Sequence, residues 1–87
     1  MSQIHTWSKY STSPHKAQQI EEQMIGKSVR CDTYNGKTHE GRVIMAREMT
    51  STGDVAWTLV LSVSDVEAAT IKDVFIPIRD VQQMEVF

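Results

Sequence analysis

Cysteine is nearly absent: Cys31 stands alone among 87 residues. No disulfide can form within the chain, and no multi-thiolate zinc site can close. Long apolar runs are missing as well. The longest is Val43-Ile44-Met45-Ala46, bounded by Arg42 and Arg47, against the ~18–20 residues that a membrane helix needs. Met1 to Tyr10 lack a basic stretch followed by an apolar core, so no secretory signal is read there. Glycine (four) and proline (two) are scarce, which excludes a collagen-like chain and a glycine-rich phosphate loop. Neither sign of charge dominates: nine basic and eleven acidic residues leave −2, without the basic excess of a typical nucleic-acid domain. The expectation is a reduced, intracellular, cytoplasmic protein with no membrane association.

What remains is an ordinary globular composition, 40% apolar and 23% charged, in a length that holds one small domain. Such a domain buries only roughly 60–65% of its unfolded surface, so it gains from a partner subunit. The charge is unevenly spread. Residues 24–47 carry Lys27, Arg30, Lys37, Arg42 and Arg47 against Asp32 and Glu40, net +3. Residues 48–87 carry seven carboxylates against Lys72 and Arg79, net −5. The basic segment can meet phosphate, or basic and acidic strands can pair within the domain or between subunits.

Local patterns give the order of elements. Residues 1–12 are polar apart from a few side chains such as Trp7 and Tyr10, and read as a flexible or loosely docked arm. Ser13-Pro14 reads as a helix start, with Ser as the cap and Pro at the first helical position. Ala17, Ile20 and Met24 follow at helical spacing, and Gly26 ends the helix. From Lys27 the period changes to two. Val29, Cys31 and Thr33 alternate with polar residues up to Asn35-Gly36, a strong hairpin turn. Thr38 to Ala46 forms the return strand, bent at Gly41. Val55 to Val63 is a third strand, Ile71 to Ile78 a fourth, and Gln83 to Phe87 a short fifth. The expected fold is mainly β: an N-terminal α-helix followed by five strands in a strongly bent antiparallel sheet that closes into a small barrel over 13–87.

Gly26-Lys27, the alternating Val29, Cys31 and Thr33, Gly36 in the hairpin and Gly41 before Val43 form one motif. Phe75 to Val86 form a second, two apolar strands around a tight turn. In this order and behind a helix, the two halves resemble the Sm-like (LSm) family, across most of the chain from about Pro14 to Phe87. The resemblance implies a homo-oligomeric ring in which the fourth strand of one subunit pairs with the fifth strand of the next, and a pore that meets single-stranded RNA. It also locates the loops after the second and fourth strands as the base-binding region. There the sequence departs from the family. Arg47-Glu48-Met49-Thr50-Ser51 stands where an Asp, a stacking residue and an Asn are usual. Pro77-Ile78, with Arg79 one residue later, stands where an Arg-Gly pair is usual.

The candidate RNA-binding residues are therefore Lys37, Arg47, Met49, Ser51 and Arg79, with Arg42 a further phosphate contact. Some of these have a plain structural role instead: Arg47 and Arg79 can pair with Glu48 or Asp80, and Met49, like Met45, can pack. Trp57, in mid-strand on the more apolar face, reads as core more readily than as a stacking platform. His39 has no convergent partners for a metal or general-base site. Asp54, Asp65, Asp73 and Asp80 are scattered, and Ser62 and Ser64 lack a nucleophile-elbow pattern. No enzyme activity, cofactor or small-molecule substrate is expected. Two functions stay open: an RNA-binding Sm-like ring, and a protein-interaction or assembly module that keeps the fold and has lost the nucleotide pocket.

Overall fold

The computed structural model describes residues 3–8, 10–51 and 53–87. Its elements are β1 (Gln3–Thr6), α1 (Ser13–Gln23), β2 (Ser28–Thr33), β3 (Thr38–Ser51), β4 (Asp54–Asp65), β5 (Thr70–Pro77), a 3₁₀ turn (Ile78–Asp80) and β6 (Val81–Val86). The strands form one antiparallel sheet in the order β1-β6-β2-β3-β4-β5.

Two points correct the sequence-based expectation. The sheet has six strands, not five, and it is not closed, since β1 and β5 are its two ends. The five expected strands are all present. The sixth lies within the polar segment ahead of the helix, where nothing alternates strongly enough to announce it. Gln3 to Thr6 pair with Val86 to Gln83, and only His5 of the four is even half-buried. The strand is built from backbone hydrogen bonds to an available edge, which composition does not reveal. Trp7, directly after it, is buried in the core. Its Nε1 donates to the Gln19 side chain at 2.5 Å, its backbone N–H to the Gln82 carbonyl at 3.1 Å, and its carbonyl accepts from the Tyr34 hydroxyl at 3.2 Å.

The helix begins one residue earlier than its sequence suggests. Thr12 is the cap, and its hydroxyl accepts from the His15 N–H; Pro14 sits in the first turn, where its missing N–H leaves no bond unmade. Eleven residues are too few for a stable isolated helix. This one lies on the sheet through Ala17, Ile20 and Met24, all buried against Val29, Cys31, Val43, Ala46, Leu59, Leu61, Ile76, Ile78, Val81 and Met84. Gly26 follows with φ of +79°, a conformation only glycine adopts freely.

Two local irregularities mark β3 where it runs beside β4. A Cβ on Gly41 would lie 2.6 Å from the Ser62 carbonyl oxygen, so β3 and β4 meet here only because no side chain intervenes. Two residues on, the register shifts: Val43 pairs with Leu61 but Met45 with Val60, leaving Ile44 as a bulge. Bulges raise local twist and bend the strand. Beyond Thr58, β5 no longer accompanies β4, so the tip of the β3–β4 hairpin extends as a two-stranded ribbon. None of the helices among the described residues is long and apolar enough to cross a membrane.

Candidate nucleic-acid interface

Pro77 ends β5, and the chain turns through Ile78–Asp80 before entering β6. Two donors fix this turn. The buried Lys16 donates from Nζ to the Val81 carbonyl at 2.9 Å and to the Ile78 carbonyl at 3.5 Å. The Tyr34 N–H donates to the Asp80 carbonyl at 2.9 Å. The Tyr34 ring also lies 5.5 Å from the Lys16 ammonium, a cation–π contact. Burial pushes the Lys16 ammonium below its ordinary pKa, with the Asp80 carboxylate pulling the other way. A charged side chain on the inner face of a short helix is not what periodicity suggests. Lys16 was legible only as a helix residue, and its role follows from the carbonyls it satisfies.

Held by this turn, Arg79 is exposed and has one carboxylate near it, Asp80 at 4.0 Å. It borders an open groove of about 360 Å³ that it shares with Ser13, Val55, Trp57, Phe75 and Pro77. Phe75 is 56% exposed and Val55 60% exposed; Trp57 is half-buried and packs against the core from its rim. Cation and aromatic surfaces are thus assembled from the end of β5, the edge of β4 and the start of α1. Sequence reasoning did not include Phe75. The available signal was its alternation with Ile76: one of the two must face away from the core, and Ile76 is buried.

Arg47 lies on the other side of Trp57, in a trough with Pro14, Glu21, Glu22 and Glu48. Its Nε donates to Glu21 Oε1 at 3.0 Å. The same oxygen accepts from the Ala46 N–H at 3.4 Å. Arg47 is therefore engaged by a helix carboxylate 26 residues away in sequence, and not by the adjacent Glu48. Trp57 lines both hollows.

The other candidates lie elsewhere. Lys37 is exposed just after the β2–β3 turn, its N–H donating to the Thr33 hydroxyl and its carbonyl accepting from the Thr33 N–H. It borders a small hollow with Asp32, Gln82 and Gln83, separate from Arg79. Met49 is half-buried on the ribbon opposite Ala56. Ser51 ends β3 opposite Asp54, and its side chain lies outside the described residues. Arg42 is exposed next to Gly41, in a further hollow with Glu40, Ser62, Ile71 and Phe87. The structure thus brings Arg79 together with aromatics, connects Arg47 to it through Trp57, and leaves Lys37, Met49 and Arg42 apart.

Pairing within the domain accounts for part of the charge asymmetry. Arg30 on β2 meets Glu85 on β6 at 3.0 Å, and Arg47 meets Glu21. Among the described residues Lys27, Lys37 and Arg42 make no ion pair, and no three His, Cys, Asp or Glu side chains converge as a metal site would require. In comparisons with known proteins, no family model matches this chain, and neither does any curated protein or solved structure.

Proposed function

We propose that this chain is a divergent Sm-like protein that binds single-stranded RNA as a homo-oligomeric ring. One observation carries the RNA part: Arg79 is presented beside the exposed face of Phe75 and the rim of Trp57, in an open groove. Single-stranded nucleic acid is held by such a combination, a base stacked on an aromatic ring and a phosphate against a cation. In this arrangement a base covers Phe75 and Trp57, Arg79 meets its phosphate, and Lys37 meets the backbone farther along. Met49 and Ser51 are at the ribbon tip, outside this path.

The sheet order supports the Sm-like part. Without β1, the two ends of the sheet are β5 and β6, the fourth and fifth of the expected strands, as a ring joined through the last two strands requires. Each copy then offers one surface and receives another, a head-to-tail contact that closes into a ring or continues as a filament.

Fluorescence anisotropy with short labelled uridine, adenine and mixed-sequence RNAs tests the function. Binding that falls steeply with rising salt is expected. No binding to any of the three, or binding indifferent to salt, overturns it.

A protein-interaction module with the same fold is the second reading. The Arg47–Glu21 pair favours it, because the cation nearest the family's base-binding loop is already neutralised within an acidic trough. Partners that remain bound after nuclease treatment in a pull-down, together with absent RNA binding, are its expected signature.

A further inference from the structure

The outer edge of β6 is covered by β1, and β1 is the least anchored part of the sheet. Its pairing runs over four residues, Gln3 to Thr6. Gln3, Ile4 and Thr6 are exposed, Ile4 by 61%, so the strand contributes almost no apolar burial. The first residue tied to the core is Trp7, which lies beyond the strand. β6 is different. It pairs with β2 along its other side, and Val81, Met84 and Val86 are buried. Removing β1 leaves β6 in place as a six-residue edge with unpaired backbone groups.

At the opposite end of the sheet, β5 is an uncovered eight-residue edge. It carries two large exposed apolar side chains, Ile71 at 72% and Phe75 at 56%. A bare edge with apolar residues invites another strand. One chain therefore holds an open edge long enough to span β6 and a β6 edge closed by a shorter, weakly held strand.

We propose that β1 is a removable cover on the assembly edge, and that the β5 edge of a second copy takes its place on β6. The proposal rests on the ring reading above and adds its control: the N-terminal strand competes with the neighbouring subunit, so assembly is set by how readily Gln3–Thr6 detach. The stacked rings of His5 and Trp7, with centroids 6.5 Å apart, mark the junction between the part that leaves and the part that stays.

The test compares the full chain with a form lacking residues 1–6 that keeps Trp7, by sedimentation and light scattering over a concentration series. A second variant, His5→Pro, keeps the full length. The Trp7 N–H bonds to Gln82, and strand alternation points the His5 N–H to the same edge, so proline removes a rung. Both changes are expected to lower the concentration for half-assembly by about tenfold or more, and Ile71→Lys on β5 is expected to reverse the effect. Equal assembly of all forms overturns the cover while leaving the ring standing. A monomer in every form at high concentration overturns both. Enhanced assembly that ignores Ile71→Lys overturns β5 as the incoming strand.

Discussion

The ammonium of Lys16 and the carbonyl of Val81, 65 residues apart, meet at 2.9 Å beneath the turn that carries Arg79. The bond connects the helix to the start of β6, and through the second acceptor, Ile78, it fixes the path between the last two strands. Lys16→Met keeps most of the volume and strands both carbonyls. The expected cost is about 1–3 kcal/mol, measured by urea denaturation. A second outcome is expected in hydrogen exchange: amides at Ile78 to Val81 lose protection more than those of β3 and β4.

Gly41→Ala tests the close approach of β3 and β4. The new methyl would meet a backbone oxygen at 2.6 Å, which cannot swing aside as a side chain can. A loss of about 1–3 kcal/mol is expected, read as a lower thermal midpoint. Gly26→Ala has open space around its Cβ but a φ of +79°, and its cost is expected near ~1 kcal/mol.

RNA affinity should distinguish the two arginines. Arg79→Glu is expected to weaken binding about tenfold or more, with a shallower salt dependence. Arg47→Glu should have a smaller effect, because Glu21 already occupies that guanidinium. Phe75→Ala removes an exposed ring and is expected to weaken binding by about 1–3 kcal/mol with little change in unfolding temperature. Equal effects of the two arginine changes would argue for a different binding face.

Cys31 supplies a pH prediction. The thiol is buried on β2, and burial, aided by Asp32, pushes its pKa from 9.0 up to about 12. In the native state the proton is held more tightly than in the unfolded chain. Its contribution to stability is thus complete below pH 9 and is lost as pH rises from there toward the native pKa. Lys16 acts in the opposite sense over the alkaline range, since its native pKa is lowered. Replacing Cys31 with Ala should flatten the decline in stability above pH 9. Alkylation of the wild-type thiol by iodoacetamide at pH 8 should proceed only at the rate of opening, with little reaction in the folded protein.

Much of this fold is legible residue by residue. Asn35-Gly36 marks its turn because positive φ is chemically cheap there, and Gly36 has φ of +83°. Ala17, Ile20 and Met24 announce the buried helix face. Gly41 marks a close approach of β3 to β4, which a glycine within a strand signals. Three features are not legible, each for a physical reason. β1 has no side-chain pattern because backbone pairing alone makes it. Lys16 is buried because two distant carbonyls need a donor, a tertiary requirement with no local trace. The groove beside Arg79 depends on where β5 leaves β4, and Phe75 joins it only once that departure is known. The charge of the 24–47 segment was visible, whereas the pairing of Arg30 with Glu85 and Arg47 with Glu21 required the fold.

The extra residue at Ile44 governs what the hairpin beyond it presents. Val43 and Ala46 both face inward although they are three apart, an odd spacing that uninterrupted pleating forbids. Paired in strict alternation, with Ile44 kept but the bulge absent, everything downstream would exchange its two sides. Arg47 and Met49 would turn to the side now held by Ala46 and Glu48. The chemical identity of that ribbon is thus a matter of parity: one surplus peptide unit, and not the side chains themselves, decides which set meets the helix and which meets a visitor.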